Sequence, residues 1–306
     1  MVSIGAMYEG GEFTPKQFGI AVEQAGFDSL WAGDRVLFYL DGIATLGCFA
    51  GCTEKIALGT SIIVAPMRPA AVMAKGLMSA SWMAQRQIIA GIGPGGDEPK
   101  DFEVTGADIH SRGAYTDEAI EVMKLLWSGK PVSYSGRWNK FSDAKMELTA
   151  ARGHRSPPET AAPQIWIGGR SKAALRRTVT YAQGYLPYYL GPAQLKDRIA
   201  KLKEMAGEVG RDPSEITIGV VTFLLPAKSR KEAIQTVLRE TEHRNLSADS
   251  IANHFLLGGA QECVDRIGEY IDAGAQHIVI GSSTGAQHQL DGYLEIGTKI
   301  LAAVRT

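Results

Sequence analysis

A chain of 306 residues, 45% of them hydrophobic, buries a large core as one α/β domain or two small ones. Its formal net charge of −1, with no basic block and no acidic tail, excludes the electrostatic footprint of a nucleic-acid or membrane-surface binder. No run approaches the length of a membrane span and the opening MVSIGAMYEG reads as a strand, so the expectation is a soluble, cytoplasmic protein.

Apolar runs of strand length alternate with helical periodicity along the chain. Residues 3–7 read as a strand and 15–25 as a helix, with Thr14 as cap and Pro15 in the first turn. Gly26 closes that helix and a second strand follows at 29–32. Residues 41–51 are helical, 56–64 form a nearly unbroken third strand, 70–83 a helix and 87–92 a fourth strand. The stretch 94–162 breaks the rhythm. It holds one clear helix, 112–127, and then a small hairpin, 132–134 with 137–141, around Ser135-Gly136. Loops this long inside a domain are usually functional, and 150–163, rich in Pro, Ala and charge, is expected at the edge of the site. Strand 164–167, helix 172–182, a short strand at 185–186, helix 192–209 and strand 216–225 come next. Helices 230–240 and 260–273, strand 277–280 and helix 290–304 finish the chain.

Eight strands, apolar on both faces and each followed by a helix, predict a parallel sheet closed into a (β/α)8 TIM barrel. The expectation is one domain over 1–306, with a long insertion after strand 4. An open doubly wound sheet would carry Gly-x-Gly-x-x-Gly after its first strand, and Met7-Tyr-Glu-Gly-Gly-Glu-Phe13 lacks that spacing.

The stretch that speaks most directly to chemistry is Pro163-Gln-Ile-Trp-Ile-Gly-Gly-Arg-Ser-Lys172. A strand feeds a helix N-terminus through two glycines, where backbone N–H groups and the helix dipole favour an anion. Arg170 and Ser171 add donors, so a phosphorylated cofactor or substrate is the natural ligand. The plain alternative is a β-to-α turn with a serine cap. In a barrel the site forms at the carboxyl ends of the strands. Those ends carry Tyr8-Glu9, Gly33-Asp34-Arg35, Thr60 to Pro69, Gly91 to Glu98, the Gly168–Ser171 turn and Tyr185 to Tyr189. The six histidines are scattered without metal spacing, and Cys48, Cys52 and Cys263 form no framework. Cys48 and Cys52, one turn apart on an apolar helix, are expected in the core. No strand ends in a Schiff-base lysine, and no nucleophile elbow is present. A glycine-lined, aromatic mouth with an anion turn and the pair Asp34-Arg35 suits a flat, phosphorylated ring system that carries the hard chemistry itself.

Phe27-Asp-Ser-Leu-Trp-Ala-Gly-Asp-Arg35, Thr53-Glu-Lys-Ile-Ala-Leu-Gly-Thr-Ser61, Ile92-Gly-Pro-Gly-Gly96, Arg112-Gly, Leu126-Trp-Ser-Gly129, Ile165 to Ser171, Gly184 to Tyr189 and Leu257-Gly-Gly-Ala-Gln261 fall in an order that resembles the bacterial-luciferase-like superfamily. The likeness covers essentially the whole chain and is specific as a set. It implies FMN or the deazaflavin coenzyme F420 lying across the strand ends, its phosphate held by Gly168, Gly169, Arg170 and Ser171. It also implies a non-prolyl cis peptide at Ser61-Ile62, with Val64 and Gly95 near the ring. Asp34 matches an aspartate that contacts the ring or its hydroxyl in the deazaflavin branch. The next residue there is often a histidine that donates a proton; Arg35 cannot act as that acid. Gly96 departs from the glutamate of the sugar-phosphate branch.

Two versions of an oxidoreductase stay open: oxygenation with reduced FMN from a separate reductase, or hydride transfer with F420. Asp34 and Arg35 are the candidate catalytic residues. Tyr8, Trp31 and Tyr188, with Phe38, Tyr39, Met67 and Tyr189 around them, are the candidate walls for an apolar substrate. A catalytically silent flavin-binding barrel and a sugar-phosphate lyase or isomerase are the alternatives. The apolar stretches 46–52 and 72–83 suggest a homodimer.

Overall fold

The computed structural model describes residues 2–11, 13–96, 98–147, 162–240, 247–282 and 290–305. Its strands are β1 (Ser3–Tyr8), β2 (Ser29–Ala32), β3 (Ala57–Thr60), β4 (Ile63–Val64), β5 (Ile89–Gly93), β6 (Val132–Ser135), β7 (Lys140–Ala144), β8 (Gln164–Gly168), β9 (Gly184–Leu186), β10 (Thr217–Pro226), β11 (Leu256–Gly258) and β12 (His277–Ser282). The helices are α1 (Pro15–Gln24), α2 (Gly42–Cys52), α3 (Ala70–Ala84), α4 (Pro99–Thr105), α5 (Arg112–Trp127), α6 (Lys172–Tyr181), α7 (Pro192–Glu208), α8 (Arg230–Glu240), α9 (Ala248–His254), α10 (Ala260–Asp272) and α11 (Leu290–Arg305).

Parallel pairing runs β12–β1–β2–β3–β5–β8–β9–β10 and closes from β10 back to β12, an eight-stranded barrel inside a ring of helices. The predicted barrel is therefore the observed one. β11 adds to the far edge of β10. The third strand is not the unbroken run expected: it divides into β3 and β4 around a cis peptide between Ser61 and Ile62. Three short elements, α4, α9 and β11, have too few residues to show a period, and the sequence reading passed over them. Helix α5 stands in the outer ring between α3 and α6: the Trp127 indole donates to Ala74 O at 3.0 Å, and Arg177 pairs with Asp117. The β6–β7 hairpin is held to it by Glu118, whose carboxylate accepts the backbone N–H groups of Arg137, Trp138 and Asn139 at 2.8, 2.9 and 2.6 Å. Most of 150–163 lies outside the described residues.

Side-chain alternation decides what fills the barrel. Met7, Trp31, Trp166, Leu186, Val221 and Val279 point into the lumen. The two indoles, 5.6 Å apart between ring centroids, are the bulk of it. Glycines opposite make room: a Cβ at Gly59 would stand 2.5 Å from the Trp31 ring, and one at Gly184 would stand 2.3 Å from Trp166. At the floor, the Trp31 N–H donates to Ser29 Oγ at 2.7 Å, which leaves the serine hydrogen for His277 Nε2, also at 2.7 Å. Burial pulls the His277 pKa down to about 4, against a weaker opposing pull from Asp28, so the imidazole there is neutral.

Candidate active site

At the carboxyl end of β8 the chain does what the anion argument requires. Gly169 takes φ +111°, and α6 begins three residues later. Ser171 caps the helix, accepting the Ala174 N–H at 3.2 Å, and its hydroxyl keeps a hydrogen to donate. The opening N–H groups of α6 lack partners within the helix, and Arg170 and Ser171 are exposed. The Arg170 guanidinium lies over the Tyr188 ring at 4.9 Å. Tyr189, next in the chain, adopts a left-handed backbone (φ +50°), a strained conformation for a bulky residue, and packs among Phe223, Phe255 and His254.

The turn after β5 borders the same region. Gly95 and Gly96 take φ +63° and +123°; a Cβ at Gly95 would strike Val64 Cγ1 at 2.5 Å, and one at Gly96 would meet Arg112 Nε at 2.9 Å. Arg112 therefore packs against the turn after β5, and the next residue, Gly113, accepts at its carbonyl from Arg177 of α6 at 3.1 Å. Ile62 leans across the top of the lumen: a Cβ at Gly93 or Gly168 would collide with it at 2.1 and 2.9 Å.

Four candidates from the sequence are placed otherwise. Asp34 is buried and wholly engaged: Arg68 grips it with two bonds of 2.7 Å, while the Gly42 and Val64 N–H groups donate at 2.9 and 3.4 Å. Arg68 also reaches Asp41 at 2.6 Å. Burial works against the Arg68 charge, but the two aspartates outweigh it and raise its pKa. Arg35 does not pair with its neighbour Asp34; its Nε donates to the buried Asp101 at 2.7 Å and its Nη2 lies 3.6 Å from Glu98. The residue pair thus ties two mouth loops down rather than presenting a catalytic couple. Trp31 is fully buried in the lumen, packed against Trp166. Tyr8 points outward by the same alternation, against Phe18 and Phe49, with its hydroxyl donating to Phe13 O at 2.8 Å. Cys48 and Cys52 are half-buried rather than core, while Cys263 is buried.

The structure brings forward groups the sequence reading left aside. Glu9, one residue past Tyr8, turns inward and accepts the Tyr39 hydroxyl at 3.0 Å. The loop after β2, whose backbone is anchored by the Leu37 N–H on Asp101, displays Val36, Leu37, Phe38 and Leu40 at 41 to 56% exposure beside the mouth. The signal for Glu9 was the two-residue period with Met7; nothing in the sequence announced the Arg68 clamp, because its partners lie 34 and 27 residues away.

Two concavities stand out, one adjoining Glu9 and one away from the strand ends. One of about 30 Å³ sits between the ends of β1 and β12 and α11, lined by Glu9 and Tyr293 among others. A groove of about 530 Å³ runs between α7 and α10, lined by Gln194, Lys196, Arg266 and Glu269. The groove is bordered by the N-terminus of α7, whereas the positive-φ glycine turns and Glu9 lie at the strand ends. Among the described residues no group of three or more His, Cys, Asp and Glu is arranged to hold a metal, and no helix is long and apolar enough to cross a membrane.

A closed (β/α)8 barrel whose mouth pairs an anion turn with an apolar wall defines a cofactor-dependent oxidoreductase site. The chain belongs to the luciferase-like monooxygenase family, whose profile matches residues 16–245. It is 25% identical, over an alignment of 317 residues, to an F420-dependent glucose-6-phosphate dehydrogenase of Microbacterium testaceum (strain StLB037), with 91% of this chain and 90% of that protein covered. It is 27% identical over 206 residues, 65% of its length, to a phthiodiolone/phenolphthiodiolone dimycocerosates ketoreductase of Mycobacterium sp. (strain JLS), and the match spans about half, 52%, of that protein. Among solved structures, an F420-dependent secondary alcohol dehydrogenase bound to an F420–acetone adduct shares the fold with a TM-score of 0.84 at 22% identity, covering 100% of this chain and 99% of that one. The oxygenating constituent of 3,6-diketocamphane monooxygenase of Pseudomonas putida, bound to FMN, shares it with a TM-score of 0.75 at 15% identity, covering 98% and 96%.

Proposed function

We propose that the protein transfers hydride between coenzyme F420 and an apolar alcohol or carbonyl substrate. The observation that carries the reading is the Gly168–Ser171 turn opening α6, with the exposed Arg170 guanidinium on it: a cradle for a phosphate on a large ring cofactor. The F420-dependent relative that matches nearly end to end supports F420 over FMN. When bound, the cofactor would supply the hydride-transfer chemistry. The chain's own part is to hold the phosphate at the α6 N-terminus, support the ring from Ile62 and Val64, and wall the substrate with Tyr188 and the Val36–Leu40 lip. The reading with FMN, fed by a separate reductase, is the second one, supported by the shared fold with an FMN-bound monooxygenase.

Asp34 remains part of this reading as the anchor of the mouth loops through Arg68, not as the reacting acid. Three free thiols fit a reducing cytoplasm. A homodimer would cover the outer faces of α2 and α3, which carry one charged residue between them, Lys75, and expose Val72 and Met83. Light scattering of the purified protein reads that directly.

The test is a fluorescence-quench titration with F420 and, separately, with FMN, on wild type and on Gly169→Asp. F420 is expected to bind more tightly than FMN, and the variant to lose at least tenfold, because an aspartate at φ +111° is strained and repels phosphate. Equal binding by both proteins would remove the anion turn from the site.

A further inference from the structure

We propose that Glu9 is the acid–base group of this site, taking the hydroxyl proton of an alcohol substrate and returning it in the reverse direction; the assignment rests on the hydride-transfer reading above. Along β1, Met7 enters the lumen and Tyr8 turns out to the helices, so Glu9 comes back over the barrel axis. The neighbouring strand fixes its placement. A Cβ built on Gly281 of β12 would lie 2.7 Å from Met7 Cε, 2.9 Å from Glu9 Oε2 and 3.0 Å from Phe223 Cδ1. The carboxylate thus occupies the space a side chain at 281 would fill, as the topmost layer of the lumen. Gly281 is what permits it to lie there.

Asp34 and Asp101 are each held by a guanidinium and at least one backbone N–H, and both serve to fasten loops. Glu9 Oε1 accepts from the Tyr39 hydroxyl, which orients the carboxylate at the top of the lumen. Arginine does not exchange protons at working pH, which removes Arg35, Arg68 and Arg170. Glu9 also stands on the wall that faces the anion turn, since β1 and β8 are four strands apart in a ring of eight. A ring cofactor held at α6 would leave the substrate between itself and Glu9. In the oxidative direction the substrate carbinol carbon gives up its C–H electron pair as a hydride to the oxidised deazaflavin. The C–O bond becomes a carbonyl, and the O–H proton passes to the Glu9 carboxylate.

The experiment uses the full chain loaded with oxidised F420 and offered isopropanol, sec-butanol and cyclohexanol, following loss of the coenzyme's visible absorbance. Glu9→Gln keeps the size of the side chain and an oxygen for Tyr39, so folding and F420 affinity should stay within about twofold of wild type while kcat falls about 100-fold or more, the range general acid–base catalysis supplies. A second readout needs no turnover: infrared difference spectra on adding hexafluoroisopropanol, a strong hydrogen-bond donor, should show a shifted carboxylate stretching band in wild type and none in Glu9→Gln. Turnover by Glu9→Gln at the wild-type rate, or the same band in both proteins, would overturn the assignment. A wild type that reduces F420 with none of the alcohols would instead refute hydride transfer to such substrates, and the infrared comparison would then decide Glu9 alone.

Discussion

The floor and the mouth of this barrel are built from the same strands and obey opposite rules. At the floor, Trp31, Trp166, Ser29 and His277 form a closed set in which each polar hydrogen on Trp31 and Ser29 has its acceptor and each indole its facing glycine. At the mouth, glycines adopt positive φ, the Arg170 guanidinium is exposed, and large apolar side chains stand in solvent. The floor spends its chemistry on stability, whereas the mouth keeps donors and surfaces available for ligands. The difference also explains why aromatic residues at strand ends are ambiguous: Trp31 is fully buried in the lumen, while Tyr188 lies partly exposed under Arg170.

Breaking the floor should give the largest effects. Trp166→Ala empties the lumen beside Gly184 and Gly219 and should cost about 3–5 kcal/mol in denaturant unfolding. Arg68→Met tests the boundary between the two regions: it leaves the buried Asp34 carboxylate without its guanidinium and should cost about 3–5 kcal/mol, with Tm as the readout. Either loss coming out below about 1 kcal/mol would mean the site collapses or rehydrates easily.

His277 sharpens the comparison through pH. Its folded pKa of about 4 lies below the ordinary 6.5, so the unfolded chain binds the extra proton first. Stability should therefore rise with pH across that window and be lost as pH falls from about 6.5 to 4, by roughly 3 kcal/mol in total. His277→Gln should flatten that slope in urea titrations at successive pH values; an unchanged slope would assign it to other groups. The smallest effect belongs to the mouth: Ser171→Ala removes the α6 cap and should cost about 1 kcal/mol of stability, together with a few-fold loss of cofactor affinity by titration.

The barrel was legible because strands buried on both faces read as continuous apolar runs and helices as a different period. Boundaries at 164, 172, 192, 230 and 290 follow from it. The anion turn was equally legible, since glycine, glycine and a capping serine between strand and helix specify a local geometry. What the sequence could not show was long-range. Asp34 looked like half of a pair with Arg35, because adjacency is visible and the Arg68 clamp is not. Tyr8 was chosen over Glu9 although alternation from a lumen-facing Met7 would have reversed the choice; which face of β1 is inward is settled only once Trp31 and Val279 are seen beside Met7. Short elements such as α4, which carries the Asp101 that fastens Arg35, lack the length to declare a period.

The central claim is that the strand-end mouth, anchored at α6, holds the cofactor. Crystals soaked with F420 test it most directly. The account predicts density for the phosphate against the N–H groups that follow Gly169, with the ring between Ile62 and the Glu9 wall. Density in the groove between α7 and α10, with the mouth empty, would contradict it.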